Sequence, residues 1–148
     1  MKKFLFTMLT FAIIIGTGIV HADAPKGWTT DFDKALAEAK AAKKHVFVLF
    51  TGSDWCGWCV RLRKNVLDNK KFKKFAKENL VLVYCDFPAK KKLPAAEMRK
   101  NRALKQRLNA PGGFPGAVVV TPEGKVTGKI SGYRDCKDYI KELKSIIK

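Results

Sequence analysis

Acidic residues are scarce: 13 Asp and Glu stand against 30 Lys and Arg, for a formal net charge of +17. Cysteine is scarce too, with 4 in 148 residues, too few for a disulfide-dense scaffold at this length. No Gly-X-Y period is present, which excludes a collagen-like chain. No internal repeat of solenoid or propeller length recurs. Neither a Gly-rich phosphate loop nor a pair of catalytic carboxylates stands out, so chemistry that needs either has no visible carrier. What is present suffices for one core. Hydrophobic residues make up 47% and aromatics 11%, which argues against a fully disordered chain, and the length suits a single domain.

The first residues read as an address rather than as fold. Met1-Lys2-Lys3 is a basic start, Phe4 to Val20 is apolar apart from three Thr and two Gly, and Val20-His21-Ala22 offers a small-residue cleavage site. That is the layout of a secretory signal peptide spanning 1–22, with the mature domain at 23–148. Cleavage after Ala24 would leave Pro25 next and is disfavoured. The competing reading is an uncleaved anchor, whose apolar run sits at the bottom of the spanning range. There is no twin Arg and no Cys near the cut for a lipid anchor. Export predicts a bacterial periplasmic or secreted protein, with no membrane span after cleavage, in a compartment that permits disulfides.

The mature chain alternates helical and strand patterns. Phe32, Leu36 and Ala39 recur at helical spacing after a Thr30 or Asp31 cap, to about Lys44. Val46 to Phe50 is a continuous apolar run, the mark of a strand buried on both faces. Thr51 to Asp54 turns into a helix near Trp55 that carries Val60, Val66 and Leu67. A further helix, Lys70 to Glu78, turns Phe72, Phe75 and Ala76 inward, and Leu80 to Cys85 is a second buried strand. A basic linker, Pro88 to Pro94, leads to a helix over Ala95 to Leu108 with Met98, Leu104 and Leu108 free to pack. Ala117 to Thr121 and Lys125 to Ser131 form a hairpin around Pro122-Glu123-Gly124. The last helix runs from Asp135 to Ile147, with Tyr139, Ile140, Leu143, Ile146 and Ile147 as its stripe. This order predicts an α/β fold, a mixed sheet with helices on both faces.

Cys56-Gly57-Trp58-Cys59 sits where the first buried strand gives way to a helix. A thiol there faces unpaired backbone N–H groups and the positive end of the helix dipole, and both favour thiolate. Cys59, about one turn on, can reach back to the same sulfur, so the pair can cycle between dithiol and disulfide. The stretch Phe47 to Cys59, with its Trp-Cys-Gly-Trp-Cys site, resembles the active-site strand and motif of the thioredoxin superfamily. Gly113-Phe114-Pro115 before a β-run resembles that family's cis-proline loop, and the resemblance covers nearly the whole mature chain.

The resemblance implies roles by position. Cys56 would attack, Cys59 would resolve, and Pro115 would be cis and face the disulfide. The backbone of Phe114 would pair with a substrate strand, and Trp55 and Trp58 would flank the site as apolar surface. It also implies protein thiol and disulfide substrates, a partner that donates or accepts electrons, and no organic cofactor or metal. One position departs from the pattern. The family's usual buried acid, six places before the first cysteine, is here Phe50, and Asp54 is expected at the surface. An efficient thioredoxin-type reductase is thereby put in question, but exchange chemistry is not.

Other readings stand beside this one. The Cys56/Cys59 pair could be half of a zinc site, but zinc wants four ligands, and Cys85, Cys136 and His45 are scattered. Cys85 and Cys136 could form a second disulfide, or remain a buried small hydrophobe and a half-exposed thiol. Lys90, Lys91, Lys92, Arg99, Lys100, Arg102, Lys105 and Arg107 crowd one stretch with Glu97 as its only acid. They form either a solvated face or a docking surface for an anionic partner. No aromatics interleave with them as nucleic acid would require. The sequence thus predicts an exported thiol–disulfide oxidoreductase, a reductase or isomerase of exported proteins. The alternative is a basic thioredoxin-fold binding module with little or no redox turnover.

Overall fold

A computed structural model describes residues 24–148, and the expected signal peptide lies outside the described residues. The organising element is β1, His45–Thr51. A strand with no polar face must be covered on both sides and flanked on both edges. It is paired parallel with β2 (Leu80–Asp86) and antiparallel with β3 (Gly116–Val120), and β3 turns back to β4 (Val126–Ser131). The sheet order is β2-β1-β3-β4, the mixed sheet and terminal hairpin that the pattern predicts. Thr29 adds a single parallel bridge to Val83 on the outer edge of β2.

Alternation along β1 divides the core in two. Phe47 and Leu49 join Tyr84 on one face, under α2 (Gly57–Leu62), α3 (Lys70–Asn79) and α5 (Cys136–Ile146). Val46, Val48 and Phe50 join Val83 and Cys85 on the other, under α1 (Phe32–Ala42) and α4 (Ala95–Arg107). On the first face Tyr139 stands edge-on to Phe47 and Phe72, with centroids 6.3 and 6.4 Å away, the preferred aromatic geometry. Trp28 caps the same cluster, 6.0 Å from Phe47 and 5.9 Å from Tyr84.

Local sequence sets the helix ends. Asp31 caps α1 by accepting from the Lys34 N–H at 3.0 Å, and Asp135 caps α5 by accepting from the Asp138 N–H at 2.9 Å. The β3–β4 turn is closed by Thr121 Oγ1, which accepts from the N–H groups of Glu123 and Lys125, both at 3.2 Å. Gly124 there takes φ +87°, a conformation that costs glycine little.

Three expectations are corrected. The helix placed near Trp55 starts at Gly57 and passes into a π-helical turn at Arg63–Leu67. Val60 is not a core residue: it falls on the outward arc between Cys59 and Leu62, and 51% of it is exposed. Met98 is only partly covered, while Asn101 is buried on α4 and donates to the Asp86 carbonyl at 2.9 Å. A hydrogen bond thus lets a polar side chain take an inward position. Cys85 and Cys136 are both free, and they pack into the cores on opposite sides of the sheet, which settles the question of a bridge.

Leu143 is fully buried against the strands of the first face. Leu143→Ala is expected to cost about 2–5 kcal/mol of unfolding free energy, read as a lower urea midpoint at unchanged slope.

Candidate active site

β1 ends at Thr51, and the chain turns through Gly52 to Trp55 before α2 begins. Gly52 is required by contact: a Cβ there would run into the Trp55 indole. Cys56 is the N-cap of α2, in extended conformation, and its Sγ accepts from the Cys59 N–H at 3.2 Å. The two cysteines form a disulfide with Cα atoms 5.2 Å apart. Cys56 is 7% exposed and Cys59 3%, so Cys56 is the more accessible residue of the two. The N–H that points at Cys56 Sγ would also favour its thiolate once the pair is reduced.

Around the disulfide the structure gathers the remaining sequence-selected residues. The Phe114–Pro115 peptide is cis, and the Phe114 ring meets Trp55 edge-on at 5.6 Å. Trp55 and Trp58 are about half exposed. The Trp55 indole N–H donates to the Phe87 carbonyl at 2.7 Å, which fixes its ring. Trp58 lies between Tyr133, centroids 5.7 Å apart, and the Arg61 guanidinium, 4.8 Å above it.

Several site features escaped the sequence reading. Asp54, expected only to sit at the surface, accepts from the N–H groups of Ala89, Lys90 and Lys91 at 2.8, 2.8 and 2.7 Å. Its desolvation disfavours the charge, but the donors from Ala89, Lys91 and Lys90 outweigh it and hold the carboxyl below its usual pKa. Asp54 and Trp55 together fasten the basic linker beside the disulfide. Lys105 places its Nζ 4.3 Å from the Phe114 centroid and donates to the Gly112 carbonyl at 3.3 Å, while burial lowers its pKa. Behind Cys59 opens a pocket of about 370 Å³, lined by Leu49, Thr51, Ser53, Arg63 and Tyr84 among others. Ser53 donates through both N–H and Oγ to the buried Asp86 carboxylate. These features depend on loops that are distant in sequence, and no local pattern announces them.

Phe50 is confirmed as a buried apolar residue, on the sheet face away from α2. Cys85 stands beside it in register, and burial pushes its thiol up to about 12, so it stays protonated. Among the described residues no cluster of three or more His, Cys, Asp or Glu side chains could hold a metal ion, and no helix is long and apolar enough to cross a membrane.

Residues 32–147 match the thioredoxin-like domain family. Over 119 residues the chain is 34% identical to disulfide bond reductase DsbH of Chlamydia pneumoniae, covering 79% of this chain and 70% of that protein. The chain belongs to the thioredoxin-like family. Within the family it is a thiol–disulfide oxidoreductase, and its Cys56–Cys59 disulfide has the spacing of a CXXC site. It is also 32% identical to thioredoxin-related protein DsbJ of Chlamydia pneumoniae, over 55% of this chain but only 23% of that protein. A solved DsbH oxidoreductase structure superposes with TM-score 0.74 at 28% identity, covering 99% of this chain and 94% of the other. A Thermus thermophilus thioredoxin shares the fold, with TM-score 0.61 at 22% identity over 80% of this chain and 85% of the other.

Two outcomes test the thioredoxin-like site as built. Gly52→Ala should displace the Trp55 indole from the Phe87 carbonyl, shift tryptophan fluorescence and cost on the order of 1 kcal/mol for the lost hydrogen bond. The linker anchor should depend on acid. Because the folded pKa of Asp54 is depressed, its contribution is complete above the unfolded value and is lost as pH falls through the folded one. Amide resonances of Ala89, Lys90 and Lys91 should therefore move together, with a midpoint below about 3.9. A midpoint at or above that value would contradict the anchoring role.

Proposed function

We propose that this protein is exported, loses residues 1–22, and reduces or isomerises disulfides in other exported proteins. Cys56 attacks a substrate disulfide and forms a mixed disulfide, and Cys59 then resolves it. Phe114 offers its backbone to a substrate strand, with Trp55 and Trp58 as apolar walls and Pro115 against the disulfide. No organic cofactor takes part, since a partner protein restores the dithiol. The observation that carries this reading is the placement of Cys56: N-cap of α2, more exposed than Cys59, and aimed at by a backbone N–H. The direction toward reduction draws support from the relative, which is named a disulfide bond reductase.

A second reading, a basic module that docks an anionic partner, draws on one observation. Asp54 and Trp55 hold the Lys90–Lys92 linker beside the redox pair, so a partner attracted there is delivered to the disulfide. In that reading the redox pair turns over little, and the lysines make the essential contacts.

The equilibrium potential of the pair, followed by tryptophan fluorescence in glutathione or dithiothreitol buffers, tests direction. A value near about −270 mV fits a reductase, whereas about −120 to −180 mV would move it to isomerases or oxidases. Cys56→Ser should abolish insulin reduction, and Cys59→Ser should accumulate the mixed disulfide. Reversing Lys90 to Lys92 to Glu should leave reduction of a small neutral disulfide unchanged. Wild type that shows no turnover, with partner binding lost on charge reversal, would favour the docking module. Recovery of an exported chain that begins at Asp23 is the expected result of N-terminal sequencing.

A further inference from the structure

The resolving step needs a base. When Cys59 attacks the mixed disulfide on Cys56, its thiol must lose a proton, and Cys59 is 3% exposed. Phe50, where the family's usual acid would stand, is apolar and faces away from α2. On the face that α2 covers, the strand ends present other groups. Thr51 and Tyr84 line the pocket behind Cys59, and Asp86, paired with Thr51 in register, follows Tyr84 on that side.

We propose that Asp86 accepts the Cys59 proton, relayed by the Ser53 hydroxyl and water in the pocket between them. The proposal rests on Cys59 being the resolving thiol. Three observations carry it. First, Ser53 Oγ donates to one Asp86 oxygen while the Ser53 N–H donates to the other, at 2.9 Å, so the hydroxyl proton is committed to the carboxylate. With its proton so committed, Ser53 Oγ can only accept from the pocket side, whose wall it shares with Cys59 and with the Tyr84 hydroxyl that hydrogen-bonds to it. Second, Asp86 is buried, at 8% exposure, and among the described residues no Lys or Arg lies within ion-pair distance of it. Third, the pocket, at about 370 Å³, has room for water and polar groups to hold it.

The other titratable groups on the pocket wall are less suited. Burial, and next the charge of Asp86, push the Tyr84 phenol up to about 12, so it keeps its proton and is not a base. Asp68 is half exposed and already paired with Arg63 and Lys73, at 3.8 and 3.7 Å. Arg63 and Lys64 are cations and cannot accept.

The step balances without any outside reagent. The Cys59 sulfur forms a bond to Cys56 Sγ, and the bond from Cys56 Sγ to the substrate sulfur breaks. The electron pair leaves on the substrate as thiolate. The Cys59 proton passes to water, water protonates Ser53 Oγ, and the Ser53 proton moves to Asp86. The substrate is reduced, and the Cys56/Cys59 pair is oxidised. Proton return from Asp86 to the released thiolate or to solvent resets the relay.

Single-turnover reaction of the reduced protein with oxidised glutathione separates the two steps. In a Cys59→Ala background only the attack by Cys56 is read, as release of the first glutathione; with Cys59 present, release of the second glutathione reports resolution. Ser53→Ala and Asp86→Asn should leave the attack step unchanged and slow resolution about 10- to 100-fold near neutral pH, the size of a lost acid–base group. Ser53→Thr, which keeps the hydroxyl, should restore it. The Cys59 titration, followed by 13C NMR, should move down in Asp86→Asn, because a negative charge has gone, even as resolution slows. A structural defect alone does not produce that opposed pair of shifts. Unchanged resolution in both variants, or equal slowing of both steps, overturns the relay. Should Asp86→Asn fail to fold, the Ser53→Ala and Ser53→Thr pair decides alone. Absence of the attack step in the Cys59→Ala protein would instead sink the reading of Cys56, and the relay with it.

Discussion

Everything in this protein is arranged around the burial of β1 on both faces. Val46 to Phe50 carry no polar side chain, and each is at most 2% exposed. Such a strand is stable only in the middle of a sheet with a helical layer on either side, because each face buries apolar area at roughly 25 cal/mol per Å². β2 and β3 take its edges, and the two helical layers take its faces. The strand can end only where the chain leaves the core, and it leaves through Thr51 and Gly52 into the turn that bears Cys56. The Cys56 sulfur sits at the rim of the sheet because the core behind it leaves no other exit.

The site is assembled by contacts between segments remote in sequence. The Trp55 indole and the Asp54 carboxylate reach residues 87 to 91, the Phe114 ring reaches Trp55, and Tyr133 reaches Trp58. Each contact uses a backbone group or an aromatic face, and together they hold three loops at one end of the sheet. The charged groups are disposed in keeping with this. Asp54 is consumed by backbone N–H groups, so the linker beside the disulfide keeps its lysines uncompensated. The strong excess of base over acid is therefore organised near the Cys56–Cys59 disulfide as well as spread over the surface.

Two of the three corrections to the helices share one cause. Val60 and Met98 are apolar, which by type alone favours an inward place, yet position on the helical arc decides burial. Asn101 shows the converse, since a polar residue enters the core where a carbonyl at the end of β2 needs a donor. Cys85 and Cys136 illustrate a third case. Their even count allows a bridge on paper, but alternation along β2 sends Cys85 to one side of the sheet, while α5 carries Cys136 on the other.

Sequence by itself determined the order of elements, the double-sided strand and the placing of the Cys56/Cys59 pair where β1 gives way to α2. These depend on local signals: apolar runs, capping residues, turn residues and a fixed two-residue gap between thiols. It also carried the cis-proline loop through resemblance, since Phe114-Pro115 before a β-run has a recognisable form. Only the tertiary structure decided what stands behind Cys59 and what braces Trp55. Asp86 ends a strand, Ser53 lies in a turn, and Tyr84 sits inside an apolar run, so none of them signals its partner in the chain. They meet because parallel pairing of β1 and β2 aligns Thr51 with Asp86 at one end of the sheet. That alignment is a property of register, and register is fixed by how the faces of both strands pack.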